Sequence, residues 1–344
     1  MFKEENKENL LAYEAADESA AAAEGTAESV QEPAEEKRKE KNGGLRIKPK
    51  KSWIPVLFIL PALAFLIMFN YVPMYGILIA FQDYVPGDDF LSEYTIWIGW
   101  QNFEMFFNAP NFWQLIGNTF FLNLLGFAIG FPLPVIVALL LNSSISKTMS
   151  KTMQTIFIAP NFISLVVMVG ILYLFFGSDG FINNIAELMG LDTYSYFLEP
   201  EAFRPLYTLS GVWQGFGWSA IIYLAALSGV DPTLHEAAVI DGASRFRRIL
   251  SVDFPAIAGT VSIQLILAIG GLLASGHEKA LLMQTEANLE TSEIIATYVY
   301  KRGLTGYTQP GYATAIGLFS SLINVVLLVG ANFLAKRFSA NTLW

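Results

Sequence analysis

Cysteine is absent from the 344 residues, and histidine occurs only twice. No disulfide and no cysteine-ligated metal can therefore staple this fold. Charge is scarce as well: 15% of residues are Asp, Glu, Lys or Arg, against about 25% in an ordinary soluble domain. The scarcity is uneven, because residues 1–51 hold 12 of the 30 acidic and 10 of the 21 basic residues. What remains is too apolar for a water-soluble core and reads as membrane. No G-x-x-x-x-G-K-S/T segment occurs, so the chain has no Walker loop for ATP. The net charge of −9 is shared between the tail and the loops, and indicates no basic nucleic-acid surface.

Two regions follow. Residues 1–36 are rich in Ala and Glu with almost no large apolar side chains, so they cannot offset their ordering entropy. The basic run Lys37 to Lys51 comes next, and touches anionic lipid or simply sets topology. Together, 1–52 is expected to be a disordered tail, and 53–344 a transmembrane domain. A spanning helix needs about 20 apolar residues. Six segments qualify, near 53–81, 114–141, 153–176, 206–229, 256–275 and 312–335. The first is too long for a signal peptide and reads as an uncleaved span. Between the last two, 292–304 has the spacing of a short helix lying along the interface. With both ends inside, 17 of the 21 basic residues face the cytoplasm and four face out, as the positive-inside rule requires. The expected fold is all-α, with six transmembrane helices and both termini cytoplasmic in a cell membrane.

One inner loop differs from the rest: Asp231-Pro-Thr-Leu-His-Glu-Ala-Ala-Val-Ile-Asp-Gly-Ala-Ser-Arg-Phe-Arg-Arg-Ile-Leu-Ser-Val-Asp-Phe-Pro255. Asp231 is placed to cap a helix with Pro232 in its first turn. Asp241-Gly242 suits a left-handed step. Ser244 then caps a second helix carrying Phe246, Ile249 and Leu250 on one face, and Pro255 closes it before the fifth span. The result is a compact knob, suited to docking rather than to chemistry.

This loop resembles the EAA signature of ABC importer permeases, here Glu236-Ala237-Ala238, then Gly242, then Pro255. Its flanks, Tyr223-Leu-Ala-Ala-Leu-Ser-Gly-Val-Asp-Pro232 and Asp241-Gly-Ala-Ser244, are similar to the carbohydrate branch. Asp83-Tyr-Val-Pro-Gly87, Gly99-Trp-Gln-Asn-Phe103, Asn288-Leu-Glu-Thr-Ser-Glu-Ile-Ile-Ala-Thr-Tyr-Val-Tyr300 and the terminal Leu343-Trp344 resemble oligosaccharide and complex-polysaccharide permeases of Gram-positive bacteria. The resemblance covers about 53–344. It implies the type I permease fold and alternating access, shared with a second permease subunit that is a paralogue or a copy. It also implies a lipid-anchored solute-binding protein outside, two ATPase subunits inside carrying ATP-Mg, and no cofactor or covalent chemistry in this chain. Within the loop it assigns Glu236 a polar contact with the ATPase, Ala237 and Ala238 close approach, and Asp241-Gly242 the turn, with Phe246 and Pro255 beyond it. Departures stand at His277, where the family has an aromatic residue, and at Asn161.

Trp213, Trp218 and Tyr223 lie in a glycine-rich span, where rings stack on sugars or simply pack between helices. Gln214 and Asn324 are amides at membrane depth, which mark a pathway or an interhelical hydrogen bond. His277 and Glu278 form a surface pair or a relay. Three other readings compete: a permease for a non-sugar solute, an ion-coupled carrier and a membrane-embedded enzyme. The flanking motifs argue against the first, the docking loop against the second, and the lack of clustered carboxylates or histidines against the third.

Overall fold

The apolar runs fold as helices because a lipid-exposed backbone must satisfy its own hydrogen bonds. The computed structural model describes residues 53–89, 91–273, 276–305 and 308–338. The expected disordered tail over 1–52 and the terminal Leu343-Trp344 motif lie outside the described residues. Among the described residues every named element is helical, with one isolated antiparallel bridge, between Gln82 and Trp97.

The chain divides into two units, Met1–Leu66 and Ile67–Trp344. The described part of the first is helix α1, Trp53–Leu66, whose side chains from Val56 onward are all exposed. The second unit begins with a wide turn, Ile67–Tyr71, and a tight helix, Val72–Phe81, with Pro73 in its first turn. Proline carries no amide proton, so departures from α geometry collect around it. Next come α2 (Gln101–Phe107), α3 (Phe112–Gly130), α4 (Pro132–Asn142), α5 (Lys147–Ile158), α6 (Leu165–Phe176) and α7 (Phe181–Leu188). They are followed by α8 (Pro200–Ser228), α9 (Pro232–Ile240), α10 (Arg245–Arg248), α11 (Phe254–Gly270) and α12 (His277–Met283). The last three are α13 (Leu289–Ser292), α14 (Ile295–Leu304) and α15 (Pro310–Phe338).

Among the described residues, five helices are long and apolar enough to cross a membrane: Val56–Phe81, Phe112–Asn142, Leu165–Leu188, Arg245–Gly270 and Pro310–Arg337. The expected fourth span is α8, more polar but 29 residues long, or roughly 43 Å at 1.5 Å per residue. That exceeds the bilayer core of about 30 Å.

Three expectations are corrected. The third span does not run unbroken from 153: α5 ends at Ile158, Ala159–Phe162 forms one tight turn, and Ser164 caps α6 by accepting the Val167 amide. Pro160 lies in that turn, and the backbone of α8 presses against α5 just before it. A Cβ on Gly217 would sit 1.9 Å from the Phe157 carbonyl oxygen, so the bare glycine is what permits the approach. Second, Pro255 does not end a helix. The Phe254 amide donates to the Ile249 carbonyl across a wide turn, Ile249–Asp253, and helix continues from Arg245 to Gly270. The widened turn absorbs the hydrogen bond that proline cannot make. Third, 292–304 is no surface helix, since Ile294, Ile295, Thr297 and Tyr298 are all buried. Ile295 and Tyr298 pack with Phe106, Leu115, Tyr312 and Ile316.

Two of the family-like motifs prove to be hydrogen-bonded joints. Asn102 donates to the Ala80 and Gln82 carbonyls, fixing the Gly99–Phe103 segment on the tight helix. Asn288, fully buried, donates to the Phe197 and Met283 carbonyls and accepts from the Thr285 amide and the Ser292 hydroxyl. Removing that side chain strands three of these partners, since the Phe197 carbonyl still accepts from the Thr285 hydroxyl. Asn288→Ala is expected to cost about 3 kcal/mol, since each stranded buried group forfeits its own solvation. A thermal midpoint in detergent equal to that of the wild type would contradict this.

Candidate functional site

The loop at 231–255 builds its knob from local chemistry. Asp231 Oδ1 accepts the Thr233 amide at 2.9 Å, which starts α9. That donated hydrogen bond holds the Asp231 carboxyl below its ordinary range. After Asp241, Gly242 turns left-handed at φ +73°, and Ser244 Oγ accepts the Arg247 amide to begin α10. Glu236, Ala237, Asp241, Gly242, Phe246 and Pro255 are exposed, and Ala238 is half-buried. Ile240 is 86% and Phe246 70% exposed, with Leu234, Val239 and Leu250 also open. Apolar side chains this exposed, next to three arginines, form a surface that lacks its partner.

At the foot of the knob lies a junction the sequence did not reveal. Asp253 is buried, and its Oδ1 accepts Asn142 Nδ2 at 3.0 Å and faces His235 Nε2 at 3.3 Å. His235 reads in sequence as a bystander beside Glu236, and nothing local marks Asn142 or Asp253 as its partners.

A second feature is a cavity of mixed polar and apolar lining between α3, α8 and α11. One lobe of about 510 Å³ is lined by Asn123, Phe127, Trp218, Ser219, Tyr223 and Gln264 among others. A second lobe of about 340 Å³ shares Asn123, Gly126, Phe127, Gly130 and Ser219 with it and reaches Tyr207 and Gly211. Of the six residues singled out for the pathway, Trp218 and Tyr223 line this cavity. Trp218 is half-exposed and meets the Phe162 ring edge-on, whereas Tyr223 is buried. Trp213 lies instead in an apolar cleft with Met168, Leu172 and Leu209. Gln214 donates to the Ile163 carbonyl at 2.8 Å, and so satisfies the backbone where the third span breaks. Asn324 accepts the Leu273 amide at 3.0 Å. His277 stacks on Tyr300, with centroids 5.0 Å apart. Asn123 and Gln264 carry the same signal as Gln214, amides at membrane depth, and were equally available to sequence reasoning.

Two cations sit inside the region between α3, α8 and α12. Arg204 donates to Asn118 Oδ1 at 2.9 Å and lies over the Phe121 ring. Lys279 is buried, donates to the Tyr207 carbonyl at 2.7 Å and lies over that ring. Burial pushes its ammonium down to about 8. The two ion pairs recorded among the described residues, His235–Asp253 and Lys301–Glu293, include neither cation.

Comparison with known proteins places these features. Residues 130–340 match the family described as "Binding-protein-dependent transport system inner membrane component". The polygalacturonan/rhamnogalacturonan transport system permease protein YteP of Bacillus subtilis (strain 168) is 41% identical over 88% of this chain and 93% of its own length. Protein LplB of the same organism is 38% identical over 86% of this chain and 92% of its own. Among solved structures, a bacterial alginate ABC transporter in complex with alginate pentasaccharide-bound periplasmic protein contains a chain that superimposes with a TM-score of 0.77. That chain is 33% identical, and the match covers 86% of this chain and 98% of it. The spans are thus those of a permease subunit, and the chain belongs to the family of inner membrane components of binding-protein-dependent transport systems.

Proposed function

We propose that this chain forms half of the translocation pathway of an ATP-driven importer for oligosaccharides and passes the ATPase stroke to its membrane helices through 231–255. The observation that carries the reading is the knob: a left-handed Gly242 between two capped helices, with apolar side chains open to a partner. The partners are a second permease subunit, two ATPase subunits that hold ATP-Mg, and an external lipid-anchored binding protein that delivers sugar against loops 82–113, 177–205 and 276–311. The chain itself performs no covalent chemistry. Its knob and both termini face the cytoplasm of the cell, in line with the distribution of basic residues.

The substrate class follows from relatives and charge together. Two of the relatives named above carry their substrates in their names, polygalacturonan/rhamnogalacturonan for YteP and alginate for the solved transporter, and alginate is an acidic polysaccharide. Arg204 and Lys279 supply positive charge near the outer end of α8 without a carboxylate partner among the described residues. An oligosaccharide bearing uronate groups suits that field.

The test is uptake into liposomes containing this chain with its permease partner, ATPase and binding protein. Uptake of oligogalacturonate is expected to require all four, and omission of the ATPase should end it. Accumulation driven by a proton gradient alone would replace this reading with an ion-coupled carrier. In the same assay Trp218→Leu should lower uptake several-fold, since it removes a large half-exposed ring from the cavity wall. Trp213→Leu, in the separate cleft, should leave uptake near the wild-type rate. Equal effects of the two substitutions would remove the cavity from the sugar path.

A further inference from the structure

Asp253 is 1% exposed, a depth at which an ionised carboxylate persists only if paired and hydrogen-bonded. With its two partners it joins three separate elements. Asn142 is the last residue of α4, at the loop-side end of the second span, and donates to Oδ1 at 3.0 Å. His235 is on the second turn of α9, the helix that carries the docking surface, with Nε2 3.3 Å from the same oxygen. Asp253 itself ends the wide turn that leads into α11, the fifth span. The remaining charged groups around this point are Arg248, Arg245, Lys147 and Glu236, which line the adjoining cavity of about 720 Å³.

We infer that Asp253 is the joint at which motion of the coupling helix reaches the second and fifth spans, with His235 and Asn142 as its two arms. The inference rests on the reading of 231–255 as the ATPase-coupling loop, and deepens it. A knob that docks by exposed apolar residues must still push on something inside the membrane domain. α9 is flanked by the Gly229–Asp231 turn on one side and the Gly242 step on the other, so its own backbone is a compliant link. A side-chain bridge onto one buried oxygen offers a stiffer one, because the hydrogen bonds fix both arms against a side chain that is itself packed inside the fold. Asn142 and Asp253 are 111 residues apart in sequence, so the bridge ties two spans that no short loop connects. The wide turn at Ile249–Asp253, with its i to i+5 hydrogen bond, is a natural place for the fifth span to change pitch. These are positioning residues: none touches sugar or nucleotide.

The measurement is sugar taken up per ATP hydrolysed, in liposomes holding the complete transporter, alongside recovery of ATPase with the permease from detergent. His235→Leu is expected to leave ATPase attachment intact and lower the uptake-to-hydrolysis ratio about tenfold, the scale of one hydrogen bond to a charged group. His235→Gln, whose amide reaches the same oxygen as a donor, should restore most of the ratio. Asn142→Leu should lower the ratio like His235→Leu. The His235→Leu, Asp253→Asn pair should be no worse than the more severe single variant, since both break one contact. An unchanged ratio in His235→Leu overturns the joint while leaving the docking loop in place. Lower complex yield at an unchanged ratio, with no rescue by Gln, makes the cluster a folding element and also overturns the joint. Failure of the wild-type chain to retain ATPase at all overturns the docking reading itself, a result distinct from either.

Discussion

Glu236→Lys and Gly242→Val should each abolish sugar-stimulated ATP hydrolysis while the chain still inserts and still receives loaded binding protein. Glu236→Lys leaves this chain's own packing unharmed, and Gly242→Val meets no neighbouring atom and strains only the turn of the knob. Glu236 is exposed and is a member of neither ion pair recorded among the described residues, so reversing its charge removes no such pair within the subunit. Any loss must then arise where Glu236 meets a partner, and a like charge at an interface costs several kcal/mol. Gly242 has open space where a Cβ would stand, but its φ of +73° is a conformation that side-chain-bearing residues avoid. Valine there costs about 1–2 kcal/mol or more in backbone strain, which the knob relieves by changing shape. The expected reading is loss of ATPase from the purified complex or at least a tenfold drop in stimulated hydrolysis, which about 1.4 kcal/mol suffices to produce. Normal attachment, stimulation and uptake in both variants would remove the loop from coupling.

The second large effect is expected at Gly217. A Cβ there would lie 1.9 Å from the Phe157 oxygen, 2.3 Å from its carbonyl carbon and 2.8 Å from the Ile158 nitrogen. All three are backbone atoms, so no flexible side chain can swing aside. Gly217→Ala must push α5 and α8 apart, at about 3 kcal/mol or more. Gly215, two residues earlier, has nothing within 4 Å of the equivalent position, and Gly215→Ala should stabilise helix α8 by about 1 kcal/mol. Yield of monodisperse protein and its thermal midpoint in detergent separate the two. Equal behaviour of both alanine variants would mean that the close approach is not a feature of the folded protein.

These contrasts mark what the sequence could and could not convey. The spans were legible because membrane insertion depends on composition over some 20 residues, which a sequence displays directly. The knob was legible for a different reason: Asp231, Gly242 and Ser244 act on neighbours two or three positions away, so cap and turn chemistry is local. Span three was misjudged because its break depends on α8 as well as on Pro160. Gly217 lets a neighbouring backbone intrude, and Gln214 donates to the Ile163 carbonyl at the break. Both residues were visible as a glycine and an amide in a membrane helix, but what they face was not. Asp253 is the clearest omission. A carboxylate two residues before a proline, after three arginines, looks like part of a solvated loop. Only folding brings Asn142 to it and turns it inward. Sequence also could not rank the amides: Gln214, Asn324 and Asn123 all bond to backbone, but of these only Asn123 also lines the cavity, together with Gln264.

The absence of native cysteine allows the central claim to be tested at single residues. Ala237→Cys, on the exposed face of α9, and Asp89→Cys, in the first loop after the tight helix, should each be placed in the complete transporter and treated with a short thiol-to-amine cross-linker. The account predicts that Ala237→Cys is captured by the ATPase subunit, with a yield that changes when ATP is bound. Asp89→Cys should instead be captured by the external binding protein and never by the ATPase. Capture of the ATPase at Asp89, or none at Ala237 in a complex that retains its ATPase, would contradict the assignment of 231–255 as the coupling element.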